Sequence, residues 1–189
     1  MCIRDSGEIS DKQVLVKGYY QGTSEFFNYN GEPTINFTYE NDVLVGYSYL
    51  DSEGKQKEMI SLPNGTGTVE AFFPNGQIST KYKLKYGLVD GERLRYYSNG
   101  QLDKKDNFSK GSLHGKSIGY YDDGSLRFDK EYSYDELNGE QKFYYPGGKL
   151  KKTENWRYGE QHGMTTFYDE NEKVTLTIRF IGDVPYDFK

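Results

Sequence analysis

The sequence predicts an all-β protein, a tandem array of about seven β-hairpin repeats with a 24-residue period that form an elongated antiparallel sheet. Three observations predict this fold class. Tyr and Gly contribute 19 and 22 of the 189 residues, whereas Ala71 is the single alanine, a balance typical of strands and turns rather than helices. Asn-Gly, Asp-Gly and Gly-Gly dipeptides favour hairpin turns. The glycines of these dipeptides return at a fixed step along the chain.

Two glycine columns define the repeat. Each unit has a glycine near its start and a second one at its hairpin turn, where a residue without Cβ reaches positive φ at no steric cost. Glu172 takes the place of the second glycine in the last unit. These structural repeat glycines are Gly22, Gly31, Gly46, Gly54, Gly67, Gly76, Gly91, Gly100, Gly115, Gly124, Gly139, Gly148 and Gly163.

A third column carries bulky side chains eight residues after the second glycine, and it confirms the register of the repeat. We expect this column to be structural. It consists of Tyr39, Leu62, Leu84, Phe108, Tyr132, Trp156 and Phe180. A second turn in each unit, between consecutive hairpins, is marked by Gly87, Gly111, Asp135 and Gly159.

The length of the hairpin loop decides which side chains share a face of the sheet. A two-residue loop at Asn99-Gly100 would pair Tyr97 with Leu102, whereas a three-residue loop with a bulge at Gly100 would pair Tyr96 with Leu102. We favour the second, because a one-residue slip moves a whole strand to the other face. It predicts one apolar face that carries Leu94, Tyr96, Leu102 and Phe108. The next two units repeat this face with Ile118, Tyr120, Leu126 and Tyr132, and then with Tyr144, Leu150 and Trp156.

The opposite face is then predicted to carry an aromatic ladder at the 24-residue step. This ladder has two possible roles. Cross-strand aromatic side chains stabilise a sheet, and clustered tyrosines are also typical of protein interfaces. The candidate partner face consists of Phe73, Tyr97, Tyr121 and Tyr145.

The unit Gly-x4-Tyr-Tyr-x-Asn-Gly-x-Leu, followed by an aromatic residue and a Gly-x-Leu-x-Gly turn, resembles the MORN-repeat variant. More narrowly, the chain resembles YwqK-like antitoxin proteins of bacteria, which are tandem arrays of this unit. The resemblance covers nearly the whole chain and is strongest from Gly67 to Gly163. It implies stacked hairpins and a role as antitoxin or immunity partner of a toxin protein. It supplies no catalytic residue.

Charge and motifs exclude several classes of function. The 24 basic and 29 acidic residues give a net charge of −5, which argues against nucleic acid or an anionic membrane as the main partner. No catalytic or phosphate-binding motif is present. His114 and His162 share a turn column with Asp90 and Asn138, so a turn role explains them. The sequence therefore predicts no enzyme, no catalytic residue, no cofactor and no metal.

A basic run in the second-last predicted hairpin has two interpretations. Lys149, Lys151, Lys152 and Arg157 are diluted by Glu154 and Glu160. A solvated strand face is the default for such a run, and a contact with an acidic partner is the lesser option.

These features leave three functions open. The leading hypothesis is a non-enzymatic protein-binding module, with a toxin as one candidate partner. The first alternative is a carbohydrate- or cell-envelope-binding repeat protein that uses Tyr97, Tyr121, Tyr145 and Trp156 as stacking platforms. Choline-binding repeats share the Tyr-rich units, although a single Trp156 departs from that pattern. The weakest alternative is a membrane-associated scaffold.

The first residues of the chain are expected to lie outside the array. The hexapeptide at residues 1–6 resembles translated sequencing-adapter sequence, which implies that the native N-terminus is missing. We therefore expect residues 1–14 to be a non-native or disordered leader and residues 15–189 to form a single hairpin array. The compartment stays open between bacterial cytoplasm and cell envelope.

Overall fold

The computed structural model describes residues 2–3, 9–27 and 33–186, and these are almost entirely strand and turn. The predicted all-β class with antiparallel hairpins is confirmed. Gly31 lies outside the described residues. Within them, no helix has the length and apolar composition needed to span a membrane. The strands are β1 Cys2–Ile3, β2 Ile9–Lys12, β3 Leu15–Val16, β4 Tyr19–Tyr20, β5 Gly22–Phe27, β6 Pro33–Glu40, β7 Val43–Ser48, β8 Ile60–Ser61, β9 Gly67–Phe72, β10 Ile78–Lys85, β11 Leu88–Tyr96, β12 Leu102–Ser109, β13 Ser112–Tyr120, β14 Leu126–Ser133, β15 Glu136–Leu137, β16 Gly139–Tyr144, β17 Leu150–Arg157, β18 Glu160–Gln161, β19 Gly163–Tyr168, β20 Val174–Ile181 and β21 Val184–Tyr186.

The chain divides into two compact units, residues 1–90 and residues 91–189. Unit 1 contains a six-stranded sheet in the order β1-β2-β5-β6-β7-β8, the β3–β4 pair and the β9–β10 hairpin. The described part of the predicted leader contributes β1 and β2 to this sheet, where Asp11 lies opposite Phe26.

The apolar core lies in unit 1. Side chains of the six-stranded sheet pack there against the β9–β10 hairpin, and the Tyr47 hydroxyl accepts the backbone N–H of Glu70 at 3.1 Å. This packing covers one apolar side of the sheet in unit 1. The buried core residues are Ile35, Leu44, Tyr47, Leu62, Val69, Ala71 and Leu84.

Unit 2 is a simpler meander. Its strands follow one another in the order β11-β12-β13-β14-β16-β17-β19-β20-β21, while the short β15 and β18 pair with β14 and β17. All of the pairings within this unit are antiparallel. Each 24-residue repeat here is one hairpin, as the glycine columns predict.

The described hairpin turns share one geometry. In the first turn of unit 2, the N–H of Tyr97 donates to the carbonyl of Gln101 at 2.8 Å, and the N–H of Gly100 donates to the carbonyl of Tyr97 at 2.9 Å. Gly100 has φ of +86°, and Tyr96 lies opposite Leu102. The three-residue loop is therefore the one that forms. The same turn recurs at residues 51–55, 73–77, 121–125, 145–149 and 169–173.

The predicted face of Leu94, Tyr96, Leu102 and Phe108 is wrong for Phe108. Arg95 lies opposite Lys104, yet Tyr96 lies opposite Leu102, so Asp103 is the extra residue of a β-bulge. A bulge shifts the alternation of side chains by one residue. Phe108 consequently lies on the other side of the sheet, beneath the guanidinium of Arg93, whose carbon is 4.5 Å from the ring centroid.

The bulky column lies opposite the first glycine column. Each bulky residue is the direct cross-strand partner of the glycine that opens its hairpin. Leu62 departs from this rule, because Gly46 pairs with Ser61. The pairs are Gly22–Tyr39, Gly67–Leu84, Gly91–Phe108, Gly115–Tyr132, Gly139–Trp156 and Gly163–Phe180.

The second turns tie each hairpin to the preceding one. Tyr134 and Asp135 have φ of +49° and +69°, the combination of a type I′ turn. The N–H of Asp135 donates to the carbonyl of Leu113 at 2.9 Å, and the N–H of Leu113 donates to the Asp135 carboxylate at 2.8 Å. Asp183 makes the same reciprocal pair with Gln161.

The buried column of unit 2 is polar, a feature that the sequence interpretation missed. It stands two residues after the first glycine and includes Ser117, Gln141 and Thr165, which are at most 2% exposed. Each side chain has a polar partner: Ser117 donates to Asp106 at 2.7 Å, Gln141 bonds to the backbone of Glu131, and Thr165 accepts from Gln161. In unit 1 the same repeat position holds the buried Ser24 and Ser48 and then Val69, which belongs to the apolar core.

Candidate functional site

The predicted ladder tyrosines lie half-buried at the first position of three of the four hairpin turns in unit 2, and Asp169 holds that position in the fourth. The hydroxyl of Tyr97 donates to the carbonyl of Tyr120 at 2.8 Å, that of Tyr121 to Tyr144 at 2.8 Å, and that of Tyr145 to Tyr168 at 2.9 Å. Burial raises the pKa of the Tyr97 hydroxyl, so it stays protonated and able to donate. These three tyrosines therefore join consecutive hairpins.

Phe73 holds the equivalent turn position in unit 1. Its N–H donates to the carbonyl of Gln77 at 2.8 Å, as in the tyrosine turns. Phe73 has no hydroxyl, so the bond that defines the ladder in unit 2 is not available to it.

We use the name ladder face for the side of the unit 2 sheet that carries Tyr97, Tyr121 and Tyr145. The bulges place the bulky column on this same side. Phe108, Tyr132 and Trp156 therefore lie on the ladder face, and the sequence prediction that placed all three on the opposite face is wrong. Aromatic side chains are consequently more concentrated on one side than the repeat pattern indicated.

Two further phenylalanines, missed in the sequence, lie at the centre of the ladder face. Phe128 and Phe143 pair directly across β14 and β16. The ring of Phe128 lies over Gly119, where a Cβ would stand only 2.3 Å from Cε1 of the ring. The absence of a side chain at residue 119 therefore sets the position of the Phe128 ring.

Cations surround these two rings. The Lys130 ammonium lies 5.1 Å from the Phe128 centroid and 5.0 Å from the Phe143 centroid. Lys152 approaches Phe143 to 4.4 Å, and Arg127 approaches Phe128 to 5.3 Å. Cation–π contacts of this kind contribute about 0.5–1 kcal/mol at exposed sites and more when desolvated.

The buried carboxylate of Asp106 links several polar side chains of the ladder face. Asp106 is fully buried and accepts from Arg93 at 3.0 Å, Lys104 at 2.9 Å and Ser117 at 2.7 Å. Burial opposes its ionisation, but the hydrogen bonds from Lys104, Ser117 and Arg93 outweigh that effect and lower the pKa of Asp106. This carboxylate is therefore ionised and already fully engaged at neutral pH.

The ladder face contains a shallow depression of about 210 Å³. Aromatic rings form its floor, and three cationic side chains are among its lining residues. It is smaller than the usual range of about 300–1,000 Å³ for small-molecule sites. Its lining residues are Tyr121, Arg127, Phe128, Phe143, Tyr144, Lys151 and Lys152.

The two histidines lie away from this depression, at the start of their hairpins. The ring of His114 packs against the ring of Tyr134, with 4.5 Å between centroids. The backbone N–H of His162 donates to the carbonyl of Asn155 at 2.8 Å. Among residues 2–3, 9–27 and 33–186, no group of three or more His, Cys, Asp or Glu side chains is placed to hold a metal ion.

Comparison with protein families finds three matches to the MORN repeat variant, at residues 89–110, 113–134 and 137–158. Together they cover about a third of the chain. The matched segments correspond to the three hairpins that carry Tyr97, Tyr121 and Tyr145, and they include every residue that lines the depression. A search of curated proteins finds no match. The chain thus contains repeats similar to the MORN variant, and repeat arrays of this kind typically present extended binding surfaces.

Proposed function

We propose that this chain is a non-enzymatic protein-binding module and that its partner binds the ladder face. The observation that supports the proposal is the concentration of aromatic and cationic side chains around Phe128 and Phe143. Aromatic residues and Arg are enriched at protein interfaces. The hydroxyl bonds between hairpins hold this surface in place before a partner arrives, which lowers the entropic cost of binding.

A steric block tests which face binds. In a Cys2→Ser background, a maleimide-linked polyethylene glycol would be attached at Lys151→Cys on the ladder face. Lys116→Cys on the opposite side serves as the matched control. Both lysines are exposed. We expect the unmodified and the Lys116→Cys-modified chains to retain one protein in stoichiometric amount from native lysate, and the Lys151→Cys-modified chain to lose it.

Equal retention by both modified chains would place the interface elsewhere. If none of the chains retained a protein, the proposed function would be wrong. Comparison with the unlabelled Lys151→Cys chain separates the effect of bulk from the loss of the lysine charge.

The resemblance to YwqK-like antitoxin proteins supports a finer proposal, in which the partner is a toxin that this chain neutralises. The retained protein would be expressed alone and together with the chain. Growth arrest by the partner alone, relieved by co-expression, is the expected result. A partner that has no effect on growth when expressed alone would exclude the antitoxin role and leave a scaffold role.

One observation favours a carbohydrate- or envelope-binding function as the second candidate. Tyr134 and Tyr158 stand on the second turns, 65% and 74% exposed, at equivalent positions of consecutive repeats. They lie two strand spacings apart, which corresponds to roughly 10 Å. Exposed rings at this spacing could each stack on a sugar. Binding of cell-wall glycan by the wild type, lost in Tyr134→Ser/Tyr158→Ser, is the expected result for this candidate, and its absence would eliminate it.

A further inference from the structure

Cations outnumber carboxylates on the ladder face, although the chain as a whole carries a net charge of −5. Each carboxylate between Arg93 and Trp156 on this face already binds at least one cation: Asp103 binds Arg95 and Arg127, Asp106 binds Arg93 and Lys104, and Glu154 binds Lys152. The cations of the face are Arg93, Arg95, Lys104, Arg127, Lys130, Lys151 and Lys152.

Two of these cations contact aromatic rings and no carboxylate. Lys130 lies over Phe128 and Phe143, and Lys151 lies 5.3 Å from the centroid of the Tyr145 ring. In the part of the chain that the structure describes, no carboxylate approaches either ammonium within 4.0 Å. Burial, reinforced by Lys104, Lys152 and Arg127, lowers the pKa of Lys130 against the attraction of Glu154. Because neither the Lys130 nor the Lys151 ammonium contacts a carboxylate, the ladder face has unbalanced positive charge at its centre.

The depression lies beside this excess of charge. Arg127, Lys151 and Lys152 lie among its lining residues, while Tyr121, Phe128 and Phe143 supply aromatic surface. A volume of about 210 Å³ suits one inserted side chain better than a drug-sized ligand. An inserted carboxylate would meet cations, and its methylene groups would contact the rings.

We propose that an Asp or Glu side chain from an acidic segment of the partner protein binds in this depression, next to Arg127, Lys151 and Lys152. The inference rests on the proposed function and adds the chemistry of the partner. Charge complementarity selects the partner and its orientation. A flat anionic bilayer is a poorer occupant, because the net charge of −5 repels an extended anionic surface, whereas one acidic segment touches only the cationic face.

Trp156 provides an intrinsic probe of occupancy. It is the single tryptophan of the chain, and its indole N–H donates to Glu154 at 3.1 Å, which in turn binds Lys152 at 2.6 Å. A carboxylate that binds Lys152 would loosen this link and change the emission of Trp156. The probes are a twelve-residue peptide of alternating Gly and Glu and the matched peptide of Gly and Gln.

We expect only the Glu peptide to shift the emission at low ionic strength. Its affinity should fall at least about tenfold in Arg127→Gln/Lys151→Gln, the change that corresponds to about 1.4 kcal/mol. The matched control is Lys116→Gln/Lys142→Gln, which removes the same charge from the opposite face and should leave the affinity unchanged. Raising the salt concentration from about 20 mM to about 200 mM should also weaken binding to the wild type, because screening acts on exposed charges.

Several outcomes would overturn the proposal: no emission shift with the Glu peptide, equal binding of the Gln peptide, equal loss in the control variant, or binding that is insensitive to salt. The salt series uses the wild type alone, so the proposal can still be rejected if a variant fails to fold. Binding to vesicles of phosphatidylcholine with phosphatidylserine, without binding of the Glu peptide, would assign the face to membranes instead. Capture of a protein that the block at residue 151 abolishes, without Glu-peptide binding, would retain the proposed function and reject only the acidic segment.

Discussion

The Tyr97 hydroxyl donates to the backbone carbonyl of Tyr120 at 2.8 Å, across the gap between one hairpin turn and the next. Tyr121 and Tyr145 repeat this bond one and two units further along. The tyrosines are thus structural at their hydroxyl ends, and their position on the face is fixed. A partner that binds the ladder face would therefore contact aromatic rings that are already held in place.

Tyr121→Phe should lower the free energy of unfolding by about 0.5–1.5 kcal/mol, the net value of one intramolecular hydrogen bond. Tyr121→Ser removes the ring as well and should cost about 3–5 kcal/mol. Urea denaturation measures both. Tyr158→Phe is the control, because Tyr158 is 74% exposed and should change stability by less than about 0.5 kcal/mol. Equal effects in Tyr121→Phe and Tyr158→Phe would show that the ladder bond has no net value.

Glu172→Gly should stabilise the protein by about 1 kcal/mol. Glu172 has φ of +61° at a position where the preceding repeats have glycine, and a left-handed conformation costs a residue with Cβ roughly 1–2 kcal/mol. The loss of its long 3.4 Å contact with the N–H of Leu150 offsets little of the gain. Gly148→Ala, at the same turn position with φ of +84°, should destabilise. Thermal unfolding of the pair checks both signs.

Acid should weaken the protein partly through Asp106. Its pKa is lowered in the folded state, so its contribution is complete above the ordinary carboxyl pKa of about 4 and is lost as the pH falls below that value. We expect the urea midpoint of the wild type to fall between pH 7 and pH 3. Asp106→Asn should cost about 3–5 kcal/mol at pH 7, since Arg93 and Lys104 lose their partner, and should show a smaller further loss at pH 3.

The control for the acid experiment is Asp129→Asn on the opposite face. Asp129 pairs with the exposed Lys116 at 2.8 Å, and such surface pairs contribute about 0–1 kcal/mol. If Asp129→Asn reduced the acid sensitivity as much as Asp106→Asn, the buried cluster would not be its source.

Gln141→Leu should destabilise unit 2 by about 1–3 kcal/mol. The Gln141 amide accepts from the N–H of Glu131 at 2.9 Å and donates to the carbonyl of Glu131 at 3.2 Å. Leucine preserves the volume but leaves the part-buried N–H of Glu131 without its side-chain partner, which carries a desolvation penalty of that size. The Glu131 carbonyl keeps the N–H of Asn138 as a partner at 3.0 Å. The amide of Glu131 should also exchange its proton faster. Gln101→Leu, an exposed change in a hairpin turn, is the comparison, and an unaltered exchange rate at Glu131 would contradict the assignment.

Gly119→Ala should move the Phe128 ring. A Cβ at residue 119 would stand 2.3 Å from Cε1 of that ring, and such overpacking typically costs about 1–3 kcal/mol. Because the ring also contacts Arg127 and Lys130, we expect weaker binding of the Glu peptide in the same variant. The nuclear magnetic resonance shifts of the Phe128 ring protons provide the direct measurement, and unchanged shifts would show that the ring position does not depend on Gly119.

The repeat and its turns could be predicted because a backbone position with positive φ favours glycine, which is visible in the sequence. Gly100 and Gly124 occupy left-handed positions, so their column revealed the hairpins and the pairing of Tyr96 with Leu102. The bulge at Asp103 cannot be recognised in this way, because its extra residue does not require a particular residue type. Strict alternation of side chains along β12, without the bulge, therefore placed Phe108 on the wrong face.

The candidate site was only partly predictable for the same reason. The ladder position keeps one residue type, tyrosine, from repeat to repeat, whereas the bulge position, which recurs at the same 24-residue step, is held in turn by Asp103, Arg127 and Lys151. Lys151 and Lys152 were visible as part of a basic run, but their closeness to Phe143 depends on the register of the β16–β17 hairpin and its bulge. The buried Gln141 was missed because polar side chains are rarely fully buried.

The hydroxyl of Tyr97 reaches a carbonyl 23 residues away, and the repeat is 24 residues long. Deleting residues 115–138 would bring Tyr144 to the place of Tyr120 and restore the same bond. The chain can therefore gain or lose a whole 24-residue repeat without leaving a ladder tyrosine hydroxyl unbonded at the junction. Natural variants with different numbers of repeats would then differ in how many acidic side chains of a partner they can bind. The number of repeats, and not a change in side-chain chemistry, would set the length of the acidic segment that fits.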